Sequence, residues 1–361
     1  MKRRDFLTGT TATVLAGPMM AQAAQAQGVM EAFGQNARPL WQAWKERFVM
    51  PDGRVVDKLQ GQASHSEGQG YGMVLASYFD DAEAFARMFQ WTERNLAVRA
   101  DPLLAWRWLP DTVNSVPDRN NASDGDLFYA WALVRAAAQF DNRAYLTRAR
   151  DIAEALAETC IVAMPGAEGR TALLPAQFGF NKDTHISVNP SYYMPLAMRE
   201  VAAVTGVSAL AICAQHGEAL IDQLAQTGLV PDWVDISETG VTASETLSQN
   251  TGYEALRVPL FMIWSRIPRH LAVRRMAALY ARTVQPGVGV PTVIEPISGT
   301  VLESSGDAGY QAVAGLVTCS EGSGLGALIP PFTPDQPYYP ATLHLFAMIA
   351  ANETLPECVP L

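Results

Sequence analysis

The sequence predicts an all-α fold in one large domain, and three features carry that expectation. Apolar residues recur at helical spacing through most of the chain, the stretches between them are short and punctuated by Gly and Pro, and the alternating pattern of half-buried strands is scarce. No composition break or linker divides the chain, and no tandem repeat is visible. Helical hairpins arranged in a ring fit this spacing.

The first segment stands apart. Met1-Lys2-Arg3-Arg4-Asp5-Phe6-Leu7 leads into an apolar stretch around Thr11 to Met20 and then the small-residue run Ala21-Gln22-Ala23-Ala24-Gln25-Ala26. That is the layout of an export signal. Arg3-Arg4 ahead of Phe6-Leu7 has the form of a twin-arginine signal, whose passengers cross the membrane folded. The apolar run is too short to span a hydrocarbon core of roughly 30 Å. Residues 1–26 are therefore expected to be an export signal cleaved after Ala23 or Ala26, and residues 27–361 to form a single periplasmic or secreted domain.

Helices follow in order. From Asp81 to Leu96 the residues Phe85, Met88, Phe89 and Leu96 share one stripe, with Asp81 as N-cap. From Asp126 to Phe140, Leu127, Ala130, Trp131, Val134 and Ala138 do the same. Similar periodicity marks Tyr145 to Ile161, Leu210 to Leu224, Tyr253 to Ile267, His270 to Thr283, Ala308 to Leu316 and Tyr338 to Ala351. The connectors include Met164-Pro165-Gly166, Gln285-Pro286-Gly287 and Pro330-Pro331.

Composition narrows the function. Hydrophobic residues make up 49% and charged residues 17%, which suits a well-packed globular core. The net charge of −10 argues against a nucleic-acid partner, because phosphate binding concentrates Lys and Arg. Beyond the leader no stretch is long and apolar enough for a transmembrane helix, since even Ala347 to Ala351 runs into Asn352 and Glu353. No stable membrane insertion is expected. The four cysteines form no Cys-x-x-Cys pair and allow three full disulfide pairings, among which the sequence does not choose.

Three segments concentrate polar chemistry. Ser66-Glu67-Gly68-Gln69-Gly70-Tyr71-Gly72-Met73 places one carboxylate ahead of alternating glycines; no Lys-Ser/Thr follows to make a phosphate cradle. Taken alone, Glu67 fits a helix-dipole partner as well as a reacting acid. Asn121-Ala122-Ser123-Asp124-Gly125-Asp126 leads into a helix; Ser123 or Asp124 reads as an N-cap, and the spaced ligands of a calcium loop are absent. In Gly252-Tyr253-Glu254-Ala255-Leu256-Arg257, Glu254 and Arg257 lie three apart, as a surface ion pair or as a buried one in a cleft.

Together these strings resemble glycoside hydrolase family 8, in particular the periplasmic endo-1,4-β-glucanases (cellulases) that accompany bacterial cellulose synthases. Ala122 to Phe140 follows the family signature except for Tyr129 at an Ile/Met place. Ser66 to Met73, Asn189-Pro190-Ser191-Tyr192, Pro231-Asp232-Trp233-Val234 and Tyr338-Tyr339 agree as well. The resemblance runs from about Arg38 to Ala351. It implies an (α/α)6 barrel, or toroid, with an open substrate cleft, no cofactor and no metal.

It also implies an inverting reaction, in which one carboxylic acid protonates the leaving oxygen while a second carboxylate takes a proton from water on the opposite face. Glu67 falls at the acid position. Asp124 matches an aspartate that holds the distorted sugar, and Tyr192 a tyrosine that orients the water. Arg257 is implied to keep the base ionised. Relatives of the cellulose-synthase type carry aspartate in Tyr-Asp-Ala-x-Arg where this chain has Glu254, so the added methylene either is absorbed by a helix set further back or slows the enzyme. The first is the expectation here.

Glucose rings stack on aromatic faces, and Trp106, Trp108 and Tyr193 are expected to supply such surfaces, with Trp91 and Trp131 left to the core. His65 either tunes Glu67 or caps a helix; the other histidines show no ligand spacing. The implied partner is a β-glucan, with a cellulose synthase complex as the associated assembly. Competing readings are a weakly active or non-catalytic glucan-binding accessory, and a family 8 hydrolase for chitosan, xylan or mixed-linkage glucan. No Gly-x-Ser-x-Gly elbow and no nicotinamide fingerprint is present.

Overall fold

The computed structural model describes residues 37–284, 287–322 and 326–360, and eleven α-helices occur among them. They are α1 (37–48), α2 (Ser66–Tyr78), α3 (Ala82–Asn95), α4 (Ser123–Gln139), α5 (Arg143–Thr159), α6 (Pro195–Thr205), α7 (Ser208–Thr227), α8 (Arg257–Trp264), α9 (Leu271–Thr283), α10 (Ala308–Glu321) and α11 (Tyr338–Thr354). The expected export signal lies outside the described residues.

Helices α2, α4, α8 and α11 are buried over almost their whole length, whereas α3, α5 and α9 bury one stripe. This contrast separates an inner ring from an outer one. Aromatic rings from the inner helices meet at the centre: Phe128 lies 4.6 Å from Tyr71, 5.6 Å from Trp131, 5.5 Å from Phe261 and 6.2 Å from Phe346. Each well-oriented pair adds about 0.5–1.5 kcal/mol beyond the area it buries. Alternating outer and inner helices make the (α/α)6 barrel that the sequence resemblance implied. The outer helices start as local chemistry dictates: Asp81, Asn142 and His270 each accept a backbone N–H in the first turn of α3, α5 and α9.

Strands are short, antiparallel and peripheral. They are β1 (Ser64–His65) with β2 (Arg107–Trp108), β3 (Ile161–Ala163) with β4 (Thr171–Leu173), β5 (Ile186–Val188) with β6 (Val234–Ser237) and β7 (Gly240–Ala243), and β8 (Val290–Ile294) with β9 (Val301–Ser305). The residues from Pro39 onward form one compact unit.

Three expectations need correction. Helix α2 is a full helix in a glycine-rich segment where only a helix start at Glu67 was weighed, and its N-cap is His65. Helix α4 begins at Ser123 with Ala122 as its N-cap, so neither Ser123 nor Asp124 caps it. The helix expected from Tyr253 begins only at Arg257, and Glu254 sits in the preceding turn.

The glycines of α2 have a packing reason. A Cβ on Gly70 would stand 2.9 Å from the backbone nitrogen of Tyr129, and one on Gly125 would stand 2.7 Å from that of Glu67. The two helices therefore approach at distances only glycine permits, and this crossing brings the start of α2 against the start of α4.

Cys319 and Cys358 form a disulfide, while Cys160 and Cys213 are buried thiols. The bridge closes a loop of 39 residues, worth about 4 kcal/mol in the chain-entropy limit.

Asp126, one turn into α4, points away from the cleft. It accepts from Leu104 N–H at 2.8 Å and from the Asn121 amide at 3.0 Å. Burial pushes its carboxyl up from 3.8 to about 7. A raised carboxyl favours the native state while protonated, so its contribution is complete below about pH 4 and is lost as pH rises to about 7. The buried His65 and His344, both lowered to about 4, act in the opposite direction below pH 6.5. Subtracting the urea stability curve of Asp126→Asn from that of wild type isolates the aspartate. The variant should gain up to about 4 kcal/mol relative to wild type between pH 4 and pH 8; an unchanged difference across that range would contradict this assignment.

Candidate active site

The polar centre is organised by one buried cation. Arg257, at the first position of α8, is 1% exposed. One terminal nitrogen, Nη1, donates to Glu67 Oε2 at 2.5 Å and to the Tyr71 hydroxyl at 2.7 Å. The other, Nη2, donates to Ser191 Oγ at 2.9 Å and to Glu254 Oε2, and lies 3.5 Å from Asp124 Oδ2. Three acids from α2, α4 and the turn before α8 thus share one guanidinium. Burial alone would weaken the charge of Arg257, yet the surrounding hydroxyls and carboxylates outweigh it and keep the side chain cationic.

The acids differ in environment. Burial pushes the Glu67 carboxyl up, Arg257 opposes this, and the Glu254 charge adds to the rise, so the net direction is upward. Asp124 is raised well above the usual carboxylate range, first by burial and then by Glu67, with its Oδ1 taking the Gly125 N–H at 2.7 Å. Glu254 is the most open, with 38% of its side chain exposed against 24% for Glu67 and 5% for Asp124. Its Oε2 also accepts from Ser191 Oγ at 3.3 Å. Its Oε1 makes no hydrogen bond among the described residues.

A cleft of about 380 Å³ opens over this centre, lined by Glu67, Glu254 and Arg257, and beyond them by His65, Asp57, Tyr253, Asp307, Tyr310, Tyr338 and Tyr339. The tyrosines were missed as site residues, although the Tyr338-Tyr339 pair stood out in the sequence. The Tyr339 hydroxyl donates to the Tyr253 carbonyl at 2.7 Å and so ties α11 to the turn carrying Glu254.

The expected aromatic surfaces divide. Trp106 and Trp108 are half-buried beside the β1–β2 pair, which feeds directly into α2. The Trp106 ring stacks on His65 at 5.9 Å, and its indole N–H donates to Asp118 at 2.8 Å. The Trp108 face carries the Arg54 guanidinium at 4.8 Å. Tyr192, at the end of a short 3₁₀ turn, lies with its ring centroid 5.7 Å from the Arg257 guanidinium carbon. Tyr193 is a correction: it is fully buried, its hydroxyl accepts from Leu173 N–H at 2.8 Å, and its ring fills the space beside Gly217. Of the two, only Tyr192 reaches the Arg257 guanidinium. Trp91 and Trp131 are buried in the core. His65 occupies the N-cap place of α2 without making a side-chain cap bond. A parallel stack of Phe180 on Trp233, centroids 5.6 Å apart, lies next to Tyr192 and was missed, although Trp233 belongs to a quoted string.

An α-helical barrel whose inner helices aim several carboxyls and a buried arginine into an aromatic-lined cleft defines a class of enzyme that works by carboxylate acid–base chemistry. The sequence matches the profile of glycosyl hydrolases family 8 over residues 15–353, and the chain belongs to that family. It is 32% identical to a probable endoglucanase of Novacetimonas hansenii, over 87% of this chain and 91% of that protein. An endoglucanase of Cellulomonas uda is 35% identical, but over only 65% of each chain. Among solved structures, a family 8 endo-β-1,4-glucanase from an Achatina fulica gut metagenomic library superposes with a TM-score of 0.78 at 30% identity, covering 87% of this chain and 97% of that one.

Proposed function

We propose that this protein is an endo-acting β-1,4-glucanase that hydrolyses its glucan with inversion, Glu67 serving as acid and Glu254 as base. The observation that carries the reading is the contrast between two acids on one guanidinium. Glu67 is sheltered and holds its proton more tightly than a free glutamate. Glu254 is open to water and paired with a fixed cation. Inverting hydrolysis needs this division, with a water between the base and the anomeric carbon and roughly 6.5–9.5 Å between the carboxyls.

In this reading the free Oε1 of Glu254 takes the proton from water while Ser191 and Arg257 hold Oε2. Asp124, close to Glu67 and short of solvent, binds a hydroxyl of the sugar whose bond is cut. Tyr192 borders the water position. The tyrosines on the Glu67 side offer faces along which a polymer lies, whereas the Trp106 ring is already packed by His65 and Arg107 and the Trp108 ring by Arg54. The names of the curated relatives, and of the solved neighbours at 26% identity or more, favour β-1,4-glucan over xylan. The leader sequence supports an exported enzyme, and the resemblance of its motifs to the endoglucanases that accompany cellulose synthases supports a place beside cellulose synthesis.

Purified protein incubated with carboxymethylcellulose, xylan, chitosan and mixed-linkage glucan provides the test. Carboxymethylcellulose should lose viscosity early while reducing ends rise slowly, as internal cleavage demands. No release from any β-glucan would favour the non-catalytic binding alternative.

A further inference from the structure

The turn holding Glu254 is pinned by a carboxylate that faces away from the substrate. Asp232 is 5% exposed. Its Oδ1 accepts from Gly252 N–H at 2.8 Å and from Ala255 N–H at 2.9 Å, one on each side of Glu254. Its Oδ2 accepts from Ser248 Oγ at 2.8 Å, and its own N–H donates to the Asn250 carbonyl at 2.7 Å. A Cβ at Gly252 would stand 2.6 Å from Oδ2, so the backbone lies as close to this carboxylate as glycine allows. The opposite side of the turn is held by Tyr339 through the Tyr253 carbonyl.

We propose that Asp232 is a positioning residue that fixes the depth of the Glu254 turn and so keeps the Glu254 oxygens on Arg257 and the reacting water. This rests on the reading of Glu254 as base. Two N–H groups gripped by one buried carboxyl oxygen form a stiff clamp, because neither can shift without leaving a buried polar group unpaired. Releasing the clamp moves the carboxylate by a fraction of an ångström to an ångström. A displacement of that size costs about tenfold to a hundredfold in rate.

The test is a cycle in the full-length protein. Asp232→Ala should lower kcat by about tenfold to a hundredfold with KM within about twofold. Asp232→Asn keeps an oxygen for both N–H groups and should restore most of kcat. In a Glu254→Asp background, where the carboxylate is already displaced, Asp232→Ala should cost less than about threefold, the non-additivity expected of coupled residues. If Asp232→Ala does not fold, Gly252→Ala, which forces the turn off Oδ2, takes its place in the cycle. Equal losses in both backgrounds, or a rise in KM at constant kcat, would overturn the proposal. Full activity in Glu254→Ala would instead overturn the base assignment, so the two failures are distinguishable.

Discussion

Glu67→Gln is expected to lower kcat on carboxymethylcellulose by about 10²–10⁴, the range for loss of a general acid. Glutamine keeps the size and the contact with Arg257 but has no transferable proton, so the departing sugar must leave as an alkoxide. The defect should depend on the leaving group. With an aryl cellobioside whose phenol departs unaided, the loss should shrink by at least about tenfold, whereas a binding defect would follow both substrates equally. The alkaline limb of the pH profile should also disappear in the variant, because the group whose raised carboxyl sets it is gone. A uniform loss on both substrates with the alkaline limb intact would move the acid role elsewhere.

Arg257→Met should be the second large effect, and it should damage stability and catalysis together. The guanidinium is the counter-ion at the meeting point of Glu67, Asp124 and Glu254. Methionine fills much of the volume but leaves these acids facing one another. Breaking a buried ion pair by removing one partner costs about 3–5 kcal/mol. The sign of the pH dependence follows from the carboxyls. Those of Glu67 and Asp124 already lie above their ordinary values, and loss of the cation raises them further, so the native variant is favoured when they are protonated. Its deficit should be greatest at neutral pH and shrink as pH falls toward 4. At pH 7 kcat/KM should fall by about a thousandfold or more, since the residues proposed as base and as sugar-binding aspartate both lose their setting. A pH-independent deficit in urea melts would contradict the shared-counter-ion account.

What the sequence revealed follows from where its periodicity is clean. Outer helices such as α3, α5 and α9 carry a stripe and an N-cap, so Asp81 and His270 mark their starts to within a residue. Inner helices are buried all round, so their stripes located α4 and α11 but not the start of α4 at Ser123. Helix α2 was hidden further by Gly68, Gly70 and Gly72, of which Gly70 lets α4 approach while Gly68 faces Tyr338 and Gly72 faces Met88. The three acids were found through their strings, not through any local property: nothing in the spacing of 67, 124, 254 and 257 tells that α2, α4 and the turn before α8 converge on one guanidinium. Ser191, Asp232 and Tyr339 escaped notice as site residues because they act on other site residues across long sequence separations. Tyr193 was misplaced because its partners, the Leu173 N–H and the space beside Gly217, come from distant parts of the sequence. The departure at Glu254 was legible as a letter, while its accommodation was not, since it depends on a turn where a helix was expected.

The central claim is that a protonated Glu67 and an ionised Glu254 act from opposite sides of one glycosidic bond. Proton NMR of the first product released from a soluble cello-oligosaccharide tests this most directly. The α-anomer should appear first and relax to the equilibrium mixture over minutes; a β-anomer formed first would mean retention and would contradict the account.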